Sequence, residues 1–314
     1  MTVSPVPLHD LAIVGGGLFG TLLALGLRRH RPDVDFVLVE GGARFGGSLL
    51  EGAVAQEVPA ALADVIDRAT VRVWPGCFVN YPGRSQFFGD DILLVDPRQL
   101  HVEVVDHPLA SRCRAGVRIR AIDGDRIFHD GGDIRARLIV DASDARIQSQ
   151  LGIERITRYR DFSLAHDLEL PILADMSATA GDWSFLQLYP VDGERMVVEH
   201  FRPRAPAPGA ASAVDGAADG AAPGGGALVS LATPGRAGTV LPGPSVAAAH
   251  FPSLLQAAAE VAAGFAALDL DEAGVRSFFA ERMAQGRDRS RRMFELVALC
   301  RGGRQGSGDG ARSI

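Results

Sequence analysis

The stretch that decides the fold is DLAIVGGGLFG, residues 10–20. Apolar residues at 10–15 predict a buried strand, and the glycines that follow give way to leucines at helical spacing, which predict a helix over 17–29. A second apolar run, residues 35–39, predicts another strand. Together these segments have the size of a βαβ unit, about 30 residues. We therefore expect an α/β protein with a Rossmann-type domain.

The glycines of this stretch fit the dinucleotide-binding pattern G-x-G-x-x-G at Gly15, Gly17 and Gly20. The first glycine allows a tight turn, the second lets the backbone approach a pyrophosphate, and the third lets helix and strand pack closely. Leu18 and Phe19 open the helix, whose N-terminus offers unpaired N–H groups to phosphates. The pattern predicts that all five residues bind a dinucleotide.

An acidic residue stands at the position that this fingerprint requires. Glu40 lies 20 residues after the last fingerprint glycine, at the end of the second strand, where a carboxylate binds ribose hydroxyls. Gly41, Arg44 and the pair Gly46-Gly47 follow it, and the Gly-Gly pair resembles the turn of the glutathione-reductase-like FAD fold. This arrangement near the N-terminus favours FAD over NAD.

Later strands are expected to complete the FAD site. The apolar residues 138–140 predict a strand that ends in a turn of small residues, and residues 228–231 predict a third FAD strand that leads into a Gly/Pro loop. The residues expected to contact FAD in these turns and loops are Asp141, Ala142, Ser143, Pro234, Gly235 and Gly238.

Composition excludes several classes of function. All 32 basic residues are arginine, so Schiff-base chemistry and a lysine general base are absent. The net charge of −6 argues against nucleic-acid binding. The 3 cysteines are far apart and the 8 histidines show no metal-ligand spacing, so neither a disulfide framework nor a metal site is expected. A cytoplasmic location is the expectation.

Changes in composition along the chain predict its domain organisation. A stretch built almost entirely of Ala, Gly, Pro, Ser, Asp and Val cannot form a core, so it is expected to be a disordered linker. The expected units are a discontinuous FAD-binding domain at 1–150 and 228–270, substrate-domain strands at 151–202 joined by part of 71–95, the linker at 203–227, and a C-terminal helical region at 271–300.

The chain resembles the bacterial lycopene β-cyclases, which are FAD-dependent carotenoid enzymes. Residues 10–18 are similar to the opening of that family, and VWPGCFVNYP, residues 73–82, resembles its Trp-Pro strand, which general FAD proteins lack. The segment ERMVVE, residues 194–199, is similar to the strand bearing the proposed catalytic glutamate, and 238–242 resembles a late glycine loop near the flavin. The resemblance covers residues 8–300, with gaps.

This resemblance implies a glutathione-reductase-like FAD-binding domain with an inserted β-sheet substrate domain and C-terminal helices. It also implies a non-redox cyclisation or isomerisation of a small apolar terpenoid or polyene. Reduced FAD, with NAD(P)H as an expected reductant, would stabilise a carbocation while Glu199 delivers and removes a proton. Trp74, Tyr81 and Phe185 are expected to contact the substrate, and the rings of Trp74 and Tyr81 to offer π-faces to a cation.

Departures from the family fall in substrate-facing parts, so other functions stay open. SLLE stands at 48–51, where the family has a polar, aromatic stretch, and the segment between Glu199 and the last FAD strand is shorter. One alternative is an FAD-dependent monooxygenase or oxidoreductase of specialised metabolism, and another is a non-catalytic flavin-binding relative. Arginines over residues 282–292 allow peripheral contact with the inner face of a membrane. The sequence leaves the oligomeric state open.

Overall fold

The computed structural model describes residues 6–81, 83–106, 108–143, 153–161, 168–177, 185–203, 239–242, 254–278 and 280–282. Several sequence predictions fall outside these ranges. They are Pro234, Gly235, Gly238, the strand expected at 228–231, the linker expected at 203–227 apart from residue 203, and the helical region beyond residue 282.

Strands and short helices alternate along the described chain. The strands are β1 (Leu8–Val14), β2 (Phe36–Val39), β3 (Glu51–Val54), β4 (Thr70–Trp74), β5 (Cys77–Tyr81), β6 (Arg84–Phe88), β7 (Ile92–Val95), β8 (Cys113–Arg114), β9 (Ile119–Asp123), β10 (Arg126–His129), β11 (Gly132–Asp141), β12 (Ile153–Asp161), β13 (Ile172–Asp175), β14 (Phe185–Pro190), β15 (Arg195–Pro203) and β16 (Thr239–Pro242). The helices are α1 (Leu18–His30), α2 (Ala63–Ala69), α3 (Pro97–Val105) and α4 (Leu254–Ala266), with a further helical segment at 272–278. Two short 3-10 turns lie at Ala55–Glu57 and Pro108–Arg112.

A parallel sheet in the order β8-β2-β1-β11 forms the centre of the N-terminal part. The long strand β11 changes partner along its length: its first half pairs with β10 of the meander β9-β10-β11, and its second half pairs with β16. Gly124 and Gly132 make the two meander turns with positive φ. The predicted βαβ unit is confirmed.

One strand of this sheet differs from the sequence prediction. Residues 239–242, interpreted from the sequence as part of a glycine loop, form β16, which pairs in parallel with β11 from Leu138 to Asp141. The physical reason is that β10 pairs only with the first half of β11, so the edge of β11 from Leu138 to Asp141 is available to pair with another strand.

Helix α1 is buried along most of its length, from Leu18 to Leu27. Its last turn carries Arg28, Arg29 and His30, whose charges suit the negative end of a helix dipole. A Cβ on Gly26 would lie 3.4 Å from the carbonyl oxygen of Ala262, which is an ordinary van der Waals distance, so α4 packs directly against α1 at this point.

The apolar run at 11–27 has the length of a short membrane span, but the structure divides it between β1, a glycine turn and α1. No helix among the described residues is both long and apolar enough to cross a membrane.

A six-stranded sheet in the order β12-β15-β14-β13-β5-β6 forms the second part of the molecule. Of residues 71–95, β5 and β6 join this sheet, whereas β7 is the central strand of a separate three-stranded sheet, in which it pairs with β3 and with β4. Both sheets contribute to one apolar core: β7 supplies Ile92 and Leu94, and β14 and β15 supply Phe185, Tyr189 and Val197.

Candidate functional site

The carboxyl ends of three neighbouring parallel strands meet at the fingerprint glycines. Val14, at the end of β1, pairs with Val39 of β2 and with Asp141 of β11, so the turns that follow lie side by side. In open α/β sheets, ligands bind in the crevice outside such strand ends. This edge of the sheet is therefore the expected ligand-binding site.

Glycine is required in this turn by close backbone packing. Gly15 has a φ of 100°, and a Cβ there would lie 2.9 Å from the backbone nitrogen of Ser143. A Cβ on Gly20 would lie only 1.9 Å from the carbonyl oxygen of Gly15, so any other residue would push the helix off the turn. Gly16 is also constrained, because its Cβ would meet the ring of Phe45 at 2.6 Å.

The Glu40 carboxylate is fixed by backbone N–H groups. Gly16 N–H donates to Oε2 at 2.5 Å and Gly42 N–H donates to Oε1 at 2.5 Å. Each oxygen has capacity for a further hydrogen bond, since a carboxylate offers about four acceptor positions. Glu40 thus lies at the mouth of the glycine turn in a fixed orientation, ready to accept from hydroxyl groups.

Thr21 joins this turn to the Gly46-Gly47 loop. Its buried hydroxyl donates to the carbonyl oxygen of Gly16 at 2.9 Å and accepts from Gly46 N–H at 2.9 Å. Gly46 has a φ of 90°, and its Cβ would lie 2.4 Å from the carbonyl oxygen of Pro97, at the start of α3. Thr21 was not predicted from the sequence, because a threonine inside a helix carries no motif signal.

Arg98 is a second site residue that the sequence analysis missed. Asp96, itself buried, caps α3 by accepting from Arg98 N–H at 2.9 Å, and its Oδ2 accepts from the Arg98 guanidinium at 2.6 Å. This pair holds the Arg98 side chain at the edge of the crevice. An aspartate N-cap followed by Pro97 is a readable helix-start signal, so α3 could have been found from sequence.

The strand ends enclose a cavity of about 950 Å³. Its lining includes three arginines, Arg44, Arg98 and Arg118, and one carboxylate, Glu40. Among the residues that the structure describes, Arg44 and Arg118 have no acidic partner. Two unpaired guanidinium groups beside a helix N-terminus favour an anionic ligand, because both supply positive charge.

The residues predicted to bind a dinucleotide divide into three groups. Those that line the cavity are Gly15, Gly17, Glu40, Gly41, Arg44, Gly47, Ala142 and Ser143. Those that lie behind it are Leu18, Phe19, Gly20, Gly46 and Asp141. Asp141 contributes indirectly, since its Oδ1 accepts from Ser143 N–H at 3.0 Å. The third group, residues 234, 235 and 238, lies outside the described residues.

A buried polar pair interrupts the apolar core of the six-stranded sheet. Glu199 on β15 is 3% exposed, and the register places it directly opposite Gln187 on β14, which is 1% exposed. One neighbouring cross-strand pair on the same face is Phe185 with Phe201, whose rings stack at 4.9 Å. A carboxyl group and an amide thus lie next to each other beside a stacked aromatic pair.

Tyr189 extends this polar pair. Its hydroxyl donates to Oε1 of Gln187 at 3.1 Å, and its ring lies 6.4 Å from that of Trp74, centroid to centroid. A Cβ on Gly52 would meet the Tyr189 ring at 2.3 Å, so glycine in β3 makes room for the tyrosine.

The predicted substrate-contacting aromatics occupy different environments. Trp74 and Phe185 are buried in the core, and Tyr81 is half-buried beside it. Arginine guanidinium groups already cover one face of two of these rings: Arg72 lies 5.2 Å from the Trp74 ring, and Arg84 lies 4.8 Å from that of Tyr81. His200 follows Glu199 on the strand and therefore faces the opposite side of the sheet.

Comparison with known proteins identifies relatives of this chain. The family model described as lycopene cyclase protein matches residues 10–202. A lycopene beta-cyclase of Pantoea ananas is 22% identical over 198 residues, which cover 62% of this chain and 52% of that protein. A lycopene beta-cyclase of Pseudescherichia vulneris is 24% identical, with the same coverage of each chain. The chain therefore spans about half the length of the curated relatives it matches.

Solved structures share the fold over nearly the whole chain. PqsL, a probable FAD-dependent monooxygenase from Pseudomonas aeruginosa, has a TM-score of 0.56 at 18% identity and covers 96% of this chain and 99% of its own. A geranylgeranyl bacteriochlorophyll reductase-like protein from Thermoplasma acidophilum has a TM-score of 0.58 at 12% identity, covering 93% of this chain and 91% of its own. The predicted fold class and family resemblance are confirmed.

Proposed function

The chain belongs to the lycopene cyclase protein family, and from this premise we propose that it binds FAD in the glycine-lined cavity and catalyses the non-redox cyclisation or isomerisation of an apolar terpenoid or polyene. The observation that carries the proposal is the buried Glu199 carboxyl group in an aromatic core, beside a domain built to hold a dinucleotide.

The residues present fit FAD. Backbone N–H groups at the start of α1 and the unpaired guanidinium groups of Arg44 and Arg118 suit a pyrophosphate, and Glu40 suits ribose hydroxyls. The crowding that a Cβ on Gly15 or Gly16 would cause supports the same conclusion, since this turn keeps its backbone free of side chains. NAD(P)H is the reductant that we propose for the bound flavin.

The cavity and the Glu199 region are linked by a short segment. Ser48 lines the cavity, Leu50 packs against the core of the six-stranded sheet, and Gly52 contacts the Tyr189 ring. An extended chain advances about 3.3–3.6 Å per residue, so Ser48 and Gly52 are at most about 14 Å apart. The cavity that would hold FAD and the core that contains Glu199 are therefore connected by this short segment.

FAD held by these residues would, in its reduced form, supply negative charge that stabilises a cation on the substrate. Glu199 does the proton chemistry: its O–H bond breaks as a proton moves to a terminal double-bond carbon, and the resulting carboxylate later removes a proton from an adjacent carbon. The apolar walls, including Phe185 and Phe201, exclude water from the cation.

Cofactor binding is tested first. The purified chain is denatured by heat and the released flavin is identified by chromatography, then apo-protein is titrated with FAD. We expect a flavin spectrum and one FAD per chain. A chain that neither retains nor takes up FAD would overturn the cofactor part of the proposal.

Turnover is tested with lycopene as the probe under anaerobic, reducing conditions. We expect an isomeric product with no net consumption of NAD(P)H, and Glu199→Gln should abolish product while leaving FAD bound. A monooxygenase would instead consume NAD(P)H and oxygen in step with product, and a non-catalytic flavin-binding protein would show neither.

A further inference from the structure

The loop at residues 44–47 forms one wall of the cavity and lies against helix α3. Arg44, Phe45 and Gly47 line the cavity, and the Phe45 ring packs on the glycine turn, where a Cβ on Gly16 would meet it at 2.6 Å. Because the loop residues are consecutive, a shift of their backbone moves Arg44 and this wall of the cavity together.

Two successive backbone N–H groups fix the shape of this loop. Gly46 N–H donates to the carbonyl oxygen of Gly16 at 2.8 Å and to the hydroxyl of Thr21 at 2.9 Å. Phe45 N–H donates to Nδ1 of His101, on α3, at 3.2 Å. A buried N–H group without an acceptor costs free energy comparable to a lost hydrogen bond. His101 therefore supplies the acceptor that ties this part of the loop to α3.

The His101 ring also packs on the Phe45 side chain. The two rings stack with their centroids 5.9 Å apart and an angle of 27° between their planes. Phe45 is 3% exposed, whereas His101 is half-buried, so the histidine ring can exchange protons with solvent. Phe45 thus depends on one titratable side chain for both a hydrogen bond and ring packing.

The hydrogen bond requires the neutral form of the histidine. Neutral imidazole has one nitrogen that donates and one that accepts, whereas the imidazolium ion donates from both. With Nδ1 accepting from Phe45 N–H, the proton of the neutral ring lies on Nε2. A proton added at Nδ1 would place two donors against each other and break the bond. Histidine is the side chain that ordinarily changes charge between about pH 5 and 8.

The charged groups around His101 are mostly paired with one another. They are Asp96, Arg98, Glu103 and Asp106 on or beside α3, Asp64, Asp67 and Arg68 on α2, Arg112 in the 3-10 turn, and Arg44 in the loop. Asp96 pairs with Arg98, and Glu103 pairs with Arg68. Helix α1 has no charged side chain along its buried length. Within the described ranges no carboxylate pairs with His101, so none holds it in the charged form.

We propose that neutral His101 is the positioning residue for the loop at residues 44–47, and that its Nδ1 holds this loop in the conformation that binds FAD. The neutral ring accepts from Phe45 N–H and keeps Arg44 at the cavity. The protonated ring releases the loop, so affinity for FAD is full at about pH 8 and falls as the pH drops toward about 5. The inference rests on the proposed binding of FAD in this cavity and is independent of the role of Glu199.

Three variants separate these contributions. His101→Asn keeps an acceptor, because Oδ1 of asparagine takes the place of Nδ1 of histidine, and it does not titrate in this range. His101→Phe keeps a ring against Phe45 and loses the acceptor. His30→Asn is the matched control. It removes another histidine that bonds to the backbone, here to the Ala61 carbonyl oxygen at 3.0 Å, at the end of α1 far from the cavity.

The apo-protein of each variant is titrated with FAD at about pH 8 and about pH 5.5, and flavin fluorescence gives the dissociation constant. The unchanged chain is expected to lose about tenfold in affinity at the lower pH, as loss of a hydrogen bond does. His101→Asn binds like the unchanged chain at the higher pH and more tightly than it at the lower. His101→Phe is about threefold to tenfold weaker than the unchanged chain at the higher pH and weakens no further. His30→Asn follows the unchanged chain.

A nuclear magnetic resonance measurement reads the contact without FAD. In protein labelled with ¹⁵N-histidine, the signals missing from His101→Asn belong to His101, and their shifts show which ring nitrogen carries the proton. At about pH 8 we expect the proton on Nε2. A proton on Nδ1 would overturn the contact.

The titrations also separate the inference from the proposed function. Two results would overturn the positioning role while FAD binding stands: equal affinity in His101→Phe at the higher pH, or a loss in His101→Asn at the lower pH that parallels the unchanged chain. If the unchanged chain binds no FAD at either pH, the cofactor part of the proposed function is overturned, and the inference with it.

Discussion

The glycine-lined cavity and the buried Glu199–Gln187 pair are built in opposite ways. At the cavity, backbone groups and missing side chains make the site, as at Gly15 and Gly20, and most of its residues lie in one βαβ unit or in the loop that follows it. At the buried pair, side chains on two separate strands make the site, and only the sheet register brings them together. A site made from backbone tolerates little added volume, whereas a site made from side chains depends on which residues face each other.

The largest effect is expected from Gly20→Ala. The added Cβ would lie 1.9 Å from the Gly15 carbonyl oxygen, which is backbone and cannot rotate away. We expect the free energy of unfolding to fall by about 3 kcal/mol or more, with loss of FAD binding. Urea denaturation measures the first quantity and flavin titration the second.

Gly193→Ala is the matched control for that change. No heavy atom lies within 4 Å of a Cβ at Gly193, so its effect should stay within about 0.5 kcal/mol. Equal effects at both glycines would show that close packing is not what the fingerprint requires.

In the side-chain region, Gly52→Ala is expected to destabilise the protein by about 1–3 kcal/mol, because the methyl group would meet the Tyr189 ring at 2.3 Å. Combining it with Tyr189→Leu should restore part of the loss, since the ring that causes the clash is gone. Urea denaturation of the two single variants and the double variant gives the coupling. Simple additivity would contradict the contact.

Glu40→Ala is expected to weaken FAD binding by about tenfold or more, with a smaller loss of stability. Gly16 N–H and Gly42 N–H lose their acceptor, and the ribose loses its partner. Titration of apo-protein with FAD measures the change. Glu57→Ala removes an exposed carboxylate away from the cavity and should bind FAD like the unchanged chain.

The smallest effect is a loss of stability that appears only at high pH. It can be measured separately for a cysteine in each of the two large sheets. Burial raises the pKa of Cys77, in the core of the six-stranded sheet, to about 11 and that of Cys113, on β8, to about 12, from an ordinary value of 9.0. The unfolded chain therefore loses these protons first, so stability is full below about pH 9 and falls as pH rises toward the folded values.

Each cysteine is expected to contribute about 1 kcal/mol of this loss per pH unit above about pH 9. No lysine titrates in this range, since the chain contains none. Urea denaturation of Cys77→Ala and Cys113→Ala across the range should give a shallower fall for each variant. Slopes equal to that of the unchanged chain would mean that neither thiol is held neutral by the fold.

Local pattern carried much of the fold prediction. The strand, turn and helix at 8–30 follow from an apolar run, a glycine fingerprint and helical spacing, and the meander follows from glycines at its turns. Substrate-domain strands were predicted within 151–202, where the structure has β14 at Phe185–Pro190 and β15 at Arg195–Pro203. These elements were predictable because neighbouring residues determine each of them.

Strands that depend on partners distant in the chain were not predicted from the sequence. The short strands β3 and β13 have too little alternation to stand out, and they are strands because β7, β5 and β14 pair with them. Strand β16 was interpreted as a loop, since the glycine and proline around it hid an apolar segment that pairs with β11. The pairing energy between two strands cannot be predicted from the sequence of either strand alone.

The sequence by itself determined the dinucleotide fingerprint, the acidic Glu40 after β2 and the position of Glu199 in its strand, because each depends on spacing along the chain. Only the tertiary structure decided that Thr21 and Arg98 belong with the cavity and that Gln187 lies opposite Glu199. Those relations arise where strands and helices distant in sequence pack together, and the packing follows from burial of apolar surface over the whole chain.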